Sequence, residues 1–190
     1  MAILKIARMG HSVLVDPALS IDDPTSERVQ RLVGHMAETL ADAEGIGLAA
    51  PQVYQSLRLI LFLDAFDREE AEEARAPVAL INPEIEPLSD ELELGFEGCL
   101  SIPGLQGLVP RHRRIGYRGY SPNGKLIERE AEGLHARVVQ HEVDHLNGVL
   151  YTMRMDDLTH LTFETEVKHV VDRLKSDAEA DGEIEDDGTA

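Results

Sequence analysis

The pentapeptide His141-Glu142-Val143-Asp144-His145 is the starting point for interpreting this chain. In a helix, residues four apart project from the same face, so the two histidines would present their imidazoles to one metal ion. The glutamate beside the first histidine would then be placed to act on a water molecule. Chance produces this pattern often enough in a chain with 8 histidines that it needs support from other segments.

The sequence around the pentapeptide predicts a helix over residues 137–146. Leu134, Val138 and the two motif histidines share one side of it, and Gly148 is suited to follow its end. Elsewhere, apolar spacing predicts a first helix over 24–43, and a last amphipathic helical segment over 156–175. Strands are expected over 58–63 and 78–82, and a charged helical turn or loop over 67–75. Residues 87–95 are expected to form turns or an edge strand. Residues 113–120 and 125–130 are expected to form a hairpin across the turn 121–124.

Strands and helices are interspersed without a regular βαβ alternation, which predicts an α+β fold. We expect one compact domain over residues 1–175, with antiparallel or mixed sheets around the central helix that carries the pentapeptide, and a C-terminal helical segment. Residues 176–190 hold seven acidic residues and no basic ones, so they are predicted to form a disordered acidic tail.

Composition excludes several classes of function. The net charge of -18 argues against direct binding to nucleic acid, because phosphate contacts need clustered lysine and arginine. No apolar run approaches the roughly 20 residues needed to cross a bilayer, so no membrane association is expected. The first ten residues lack the apolar core of a signal peptide, which favours a cytoplasmic location.

The single cysteine, Cys99, is a candidate third ligand for the metal. A catalytic site of the zinc type needs three protein ligands and one open position. Cys99 follows Gly98, where the backbone can approach a metal closely, and a thiolate tunes the Lewis acidity of the ion. A lone cysteine is more commonly a small buried apolar residue, so this assignment depends on the two histidines.

A third segment, Gly45-Ile46-Gly47-Leu48-Ala49-Ala50-Pro51-Gln52, is rich in glycine but matches neither the phosphate loop nor the dinucleotide fingerprint. Its glycines permit close approach of a ligand, and the amide of Gln52 is suited to bond a polarised carbonyl. A plain helix-to-strand turn is the alternative interpretation of the segment.

Taken together, the three segments resemble the peptide deformylase family. The family patterns Gly-x-Gly-x-Ala-Ala-x-Gln, Glu-Gly-Cys-x-Ser and Gln-His-Glu-x-Asp-His stand complete and in order at residues 45–52, 97–101 and 140–145. The resemblance runs from about Ile3 to about Leu158. Leu100-Ser101-Ile102-Pro103-Gly104 after the cysteine is similar to the type 1 branch of bacteria and organelles, while Ser12 departs from a common proline.

The resemblance implies hydrolysis of the N-formyl group from N-formylmethionyl nascent peptides, with release of formate. It implies a metal held by Cys99, His141 and His145, with Fe²⁺ as the cellular ion and Zn²⁺, Ni²⁺ or Co²⁺ as substitutes. Glu142 would move the protons of the reaction. The Gln52 side chain and the Leu100 backbone N–H would donate to the oxyanion.

The substrate would lie along the backbone of Gly47, with its methionine side chain in an apolar pocket. Leu134 and Val138 are candidate walls of that pocket, although ordinary core packing explains them equally well. Asp144 is expected to support the site without binding metal, and Glu97 with Arg111 is a candidate orienting ion pair. Contact with the ribosome near the exit tunnel is a further hypothesis.

Two alternative functions follow from the same residues. One is a His-Glu-x-x-His metallopeptidase that takes Glu164 or His160 as its third ligand, which would leave Cys99 without a role. The other is a catalytically silent relative of the deformylases that acts as a binding protein. A structural metal site would need a fourth protein ligand, and the sequence offers no unassigned candidate.

Overall fold

The computed structural model describes residues 2–63 and 77–184. Within these ranges lie three α-helices, α1 (Glu27–Asp42), α2 (Gly133–Leu146) and α3 (Val167–Ile184). The strands of the same ranges are β1 (Gly47–Ala49), β2 (Leu59–Leu63), β3 (Pro77–Pro87), β4 (Leu92–Cys99), β5 (Ile102–His112), β6 (Arg114–Tyr120), β7 (Leu126–Glu132) and β8 (Thr162–Phe163).

The strands form two sheets, and every pairing between them is antiparallel. One sheet has the order β1-β2-β3-β6-β7, and the other has the order β4-β5-β8. The architecture is therefore α+β, which confirms the fold class that the sequence predicts.

Strand β2 is buried on both faces because α1 and α2 cover opposite sides of the five-stranded sheet. Ile60 and Phe62 pack in the cluster that contains the apolar side of α2, whereas Leu59 and Leu61 pack with α1. Successive strand residues point to opposite faces, so the uninterrupted apolar run of β2 is the pattern expected for a doubly covered strand.

Helix α1 carries the apolar stripe that its sequence predicts, and Val29, Leu32 and Met36 are buried on it. It begins at Glu27, three residues later than expected, because residues 23–26 form a turn of their own. In that turn the Asp23 carboxylate accepts a hydrogen bond of 2.9 Å from the Thr25 backbone N–H.

Helix α2 lies between the two sheets and is buried along most of its length. Val139, Val143 and Leu146 pack in the cluster beneath the five-stranded sheet. Its polar residues face the β4–β5 hairpin, where the Gln140 amide donates to the His112 carbonyl (2.8 Å) and accepts from the His112 N–H (3.1 Å). The helix starts at Gly133, four residues before the predicted start.

The β6–β7 hairpin and its turn confirm the prediction for residues 113–130. The β4–β5 hairpin is longer than the sequence indicates, since residues 87–95 were expected to form turns or an edge strand and β5 was not predicted. Strand β3 continues past the expected end at residue 82. It does so through a register irregularity between Ile81 and Glu84, where Asn82 has a φ of 50°.

The C-terminal region differs from the expected segment at both ends. Short 3₁₀ turns and β8 occupy much of residues 156–166, and α3 begins only at Val167. The helix then continues to Ile184, into the stretch predicted as a disordered tail, where alanine and glutamate favour helix. Residues 185–190 and the predicted turn at 67–75 lie outside the described residues. No helix in the described part of the chain is long and apolar enough to span a membrane.

Candidate metal centre

Three ligand-type side chains converge where α2 meets the end of β4. One donor atom from each of Cys99, His141 and His145 lies within 4.8 Å of the others. Cys99 is the last residue of β4, at a register irregularity that follows Gly98. Its Sγ lies 3.3 Å from Nε2 of His145. The structure thus brings together the three predicted metal ligands.

The ring of His141 is fixed from two sides. Its Nδ1 lies 2.8 Å from Oε2 of Glu97, so Nδ1–H donates to this carboxylate and Nε2 is left to face the cluster. The Tyr151 ring stacks on the imidazole with centroids 6.2 Å apart and planes inclined by 22°. Such partners hold a ligating histidine in one tautomer and one orientation.

The buried carboxylate of Glu97 accepts hydrogen bonds from three side chains, those of Arg111, Arg137 and His141. Arg111 donates to both of its carboxylate oxygens at 2.9 Å, and Arg137 donates at 2.9 Å. Burial alone would raise the pKa of Glu97, but the hydrogen bonds from Arg111 and His141 outweigh it and lower that pKa to about 2. The predicted Glu97–Arg111 pair is present, and it remains charged beside the cluster.

Asp144 points away from the three donors, in keeping with the supporting role expected of it. Its carboxylate accepts from Arg111 at 2.5 Å and from Arg154 at 2.7 and 3.1 Å. A chain of alternating charges therefore leads from the half-exposed Arg154 through Asp144 and Arg111 to Glu97.

Glu142 is buried beside the cluster, and its Oε2 has no hydrogen-bond partner among the described residues. Burial raises its pKa to about 7. The carboxylate lies against the backbone of Gly47, where a Cβ would come 2.8 Å from Cδ of Glu142 and would overlap Oε1. Only a residue without a side chain fits there, so Gly47 determines where the carboxylate sits.

Gln52 is held so that its amide nitrogen faces the cluster. Its Oε1 accepts a hydrogen bond of 2.8 Å from the Ala49 N–H, which fixes the orientation of the amide. Its Nε2 then lies 3.5 Å from Sγ of Cys99 and 3.3 Å from Oγ of Ser101. Leu100 lies in the turn between β4 and β5, where Arg8 donates to its carbonyl at 2.9 Å. Both predicted oxyanion donors thus lie beside Cys99.

A cavity of about 630 Å³ opens at the cluster. Its lining contains the candidate metal ligands Cys99 and His141 together with the following residues singled out from the sequence: Gly47, Gln52, Leu100, Leu134, Val138 and Glu142. Leu134 is 53% exposed at this cavity, whereas Val138 is also part of the core beneath the sheet. Val138 therefore both lines the cavity and packs in the core.

The donor set fits a bound cation. Burial would lower the pKa of His141, but its contacts with Cys99 and Glu97 outweigh that effect and raise it, so the cluster attracts positive charge. Burial lowers the pKa of His145 well below its usual value, which keeps this imidazole neutral. Thiolate and neutral imidazole are ligands suited to divalent transition metals.

Sequence reasoning missed Arg137, which contacts Glu97 and lines the cavity. Its position four residues before His141 was the available signal, because that spacing places it on the same side of the helix. The metallopeptidase alternative is not supported, since neither Glu164 nor His160 belongs to the donor cluster found among the described residues.

Three protein donors beside an unpaired buried carboxylate, at the edge of an open cavity, define a metal-dependent hydrolase. The model of the polypeptide deformylase family matches residues 3–160. The chain belongs to the polypeptide deformylase family.

Individual relatives agree with this assignment. The chain is 52% identical over 163 residues to peptide deformylase 1 of Bordetella pertussis, with 85% of this chain and 92% of that one covered. The crystal structure of peptide deformylase from Thermotoga maritima is 37% identical and aligns with a TM-score of 0.74, covering 83% of this chain and all of that one.

A Met-Ala-Ser-bound class I type b peptide deformylase from Acinetobacter baumannii aligns with a TM-score of 0.71 at 36% identity, covering 81% of this chain and 100% of that one. Peptide deformylation is therefore the function of the chain. The comparisons give no support to a metallopeptidase or to a catalytically silent binding protein.

Proposed function

We propose that Cys99, His141 and His145 hold the catalytic metal while Glu142 moves the protons that deformylation requires. The observation that carries this proposal is the buried Glu142 carboxylate with one unpartnered oxygen beside the three donors. A divalent cation at this cluster would supply Lewis acidity, which promotes ionisation of water and polarises a carbonyl. Glu142 accepts a proton from the attacking water and returns it to the departing amine.

The oxyanion that develops on the formyl group needs hydrogen-bond donors. The Nε2 of Gln52 is oriented toward Cys99 because Ala49 occupies the other end of its amide. The Leu100 N–H lies in the peptide bond with Cys99, and the bond from Arg8 to the Leu100 carbonyl holds the next peptide of the same turn. These two groups are the donors that we assign to the oxyanion.

Gln52→Glu tests this assignment while preserving the local structure. Glutamate keeps an oxygen for the Ala49 N–H but removes the N–H donor, so kcat should fall by about 100- to 1,000-fold with little change in KM. Steady-state rates on formyl-Met-Ala-Ser measure the change. Gln30→Glu, at an exposed position of α1, is the matched control. A Gln52→Glu enzyme that retained the wild-type kcat would exclude Gln52 as a donor.

We assign the peptide to the backbone of Gly47 and its first side chain to the space between Leu134 and Val138. Gly47 lies at the cavity without a side chain to obstruct an extended peptide. The Leu134 and Val138 side chains offer the apolar surface that a methionine favours. The substrates proposed for this chain are the N-formylmethionyl ends of nascent polypeptides.

We propose Fe²⁺ as the physiological metal, with Zn²⁺, Ni²⁺ or Co²⁺ able to replace it. One thiolate and two imidazoles suit all four ions, so the preference for iron comes from membership in the family. Iron beside a thiolate is sensitive to oxygen. Protein prepared without oxygen should therefore contain iron and lose activity in air, in contrast to its nickel form.

We further propose a cytoplasmic enzyme that contacts the ribosome near the exit tunnel, because its substrates arise there. The C-terminal segment, with the seven acidic residues of 176–190, is the candidate contact. Co-sedimentation with ribosomes should be weaker when residues 176–190 are deleted from the full chain. Equal sedimentation of the two forms would exclude the acidic tail from the contact.

A further inference from the structure

Arg137 forms the boundary between the cavity and the interior of the β4–β5 hairpin. The residue lines the cavity, although only 10% of its side chain is exposed. Its guanidinium donates to three backbone carbonyls, those of Glu93 (2.6 Å), Gly95 (3.2 Å) and Val109 (2.8 Å). None of these three partners belongs to the cavity lining, so they lie behind the guanidinium as seen from the cavity.

Gly95 provides the space in which the guanidinium lies. A Cβ built on Gly95 would come 2.8 Å from Cζ, 2.8 Å from Nη2 and 2.9 Å from Nε of Arg137. Contacts this short do not occur between unstrained atoms, so any side chain at residue 95 would displace the guanidinium from β4. Glu97, which accepts from Arg137, and Arg137 itself both line the cavity, so displacing the guanidinium from Gly95 would change the cavity wall.

The helix places Arg137 in the same wall as the residues assigned to the methionine side chain. Leu134 lies three residues before it and Val138 directly follows, and all three line the cavity. An apolar side chain would be ordinary at this position of a buried helix. The arginine is tolerated because its charge is neutralised by Glu97 and its donors are directed at carbonyls.

We propose that Arg137, seated on Gly95, is a specificity-determining residue that sets the depth of the pocket for the first side chain of the substrate. This inference rests on the proposed assignment of that side chain to the space beside Leu134 and Val138. With the guanidinium in place, the pocket ends at Arg137 and accommodates the slender chain of methionine. Without it, the space above Gly95 joins the pocket and admits a larger group such as a phenyl ring.

Substrate ratios in single and double variants test the proposal. Arg137→Leu should raise kcat/KM for formyl-Phe-Ala-Ser relative to formyl-Met-Ala-Ser by about tenfold or more, the scale on which pocket size discriminates. Gly95→Ala should lower kcat/KM on the formyl-Met peptide by about tenfold, mainly through KM. In the Arg137→Leu background the same alanine should cost less than about threefold, because the clash has been removed.

The controls separate specificity from general damage to the enzyme. Arg118→Leu removes an exposed arginine of β6 that pairs with Glu84, and it should leave the substrate ratio unchanged. Metal content by elemental analysis should match the wild type in every variant. If Arg137→Leu does not fold, Arg137→Lys, which cannot bridge the three carbonyls, and Gly95→Ala provide the same two measurements.

Calorimetric measurement of Met-Ala-Ser and Phe-Ala-Ser binding gives the ratio of the two peptide affinities, which does not depend on turnover. A wild-type enzyme inactive on formyl-Met-Ala-Ser would count against the proposed residue roles, whereas the peptide-binding ratio would still report on Arg137. An unchanged ratio in Arg137→Leu, or equal effects of Gly95→Ala in both backgrounds, would overturn the inference.

Discussion

Glu142→Ala is expected to abolish deformylation while the metal remains bound. The three donors Cys99, His141 and His145 are unchanged in this variant, so the cluster keeps its ligands. The group that transfers protons is lost, and general acid–base catalysis alone contributes about 100- to 10,000-fold to a rate. The activity on formyl-Met-Ala-Ser and the metal content of the same sample are the two quantities to measure.

A matched control removes a glutamate elsewhere. Glu128→Ala on the exposed strand β7 deletes the same side chain outside the cavity and should retain wild-type activity. Glu142→Gln keeps the size of the side chain and should be as inactive as the alanine variant. Full activity in either Glu142 variant would show that another group transfers the protons.

Cys99→Ala is expected to lose the tightly bound metal together with activity. Removing the thiol leaves two imidazoles, fewer than the three protein ligands of a typical catalytic site. Loss of a residue that only hydrogen-bonds to a metal ligand weakens metal binding by about 10- to 100-fold. Loss of a ligand itself should therefore weaken metal binding by more than about 100-fold. Elemental analysis after exhaustive dialysis measures the metal content, with Glu142→Ala as the comparison that retains its metal.

Cys99→Ser distinguishes a ligand from a packing residue. Serine preserves the volume and the polar contact to Gln52 but is a poor ligand for a soft or borderline metal. Its metal content should resemble that of Cys99→Ala. If both variants kept one metal ion per chain with wild-type affinity, Cys99 would be removed from the proposed site.

The sequence predicts the helix of the two candidate histidine ligands well because its signal is local. Apolar residues of α2 recur at helical spacing, and the two histidines fall on one side of that pattern. The apolar run of β2 is equally local. The pairing of Glu97 with Arg111 was also predicted.

The β4–β5 hairpin could not be predicted from local sequence patterns in the same way. Pro103, Gly104 and Gly107 interrupt the alternation of β5, and the strand is stabilised by its partners in β4 and by α2. The contact between Arg137 and Gly95 depends on the same packing, because the two residues belong to a helix and a strand far apart in the sequence. Contacts of this kind follow only from the assembled fold.

The close approach of Gly47 to Glu142 has a consequence for resistance to inhibitors. A compound that makes its main contacts with the backbone at Gly47 would meet a position where any added side chain overlaps the carboxylate. A mutation there could weaken the compound only by displacing Glu142, the carboxylate that we propose as the base. Escape from such a compound would therefore have to arise at other positions of the cavity, such as the exposed Leu134.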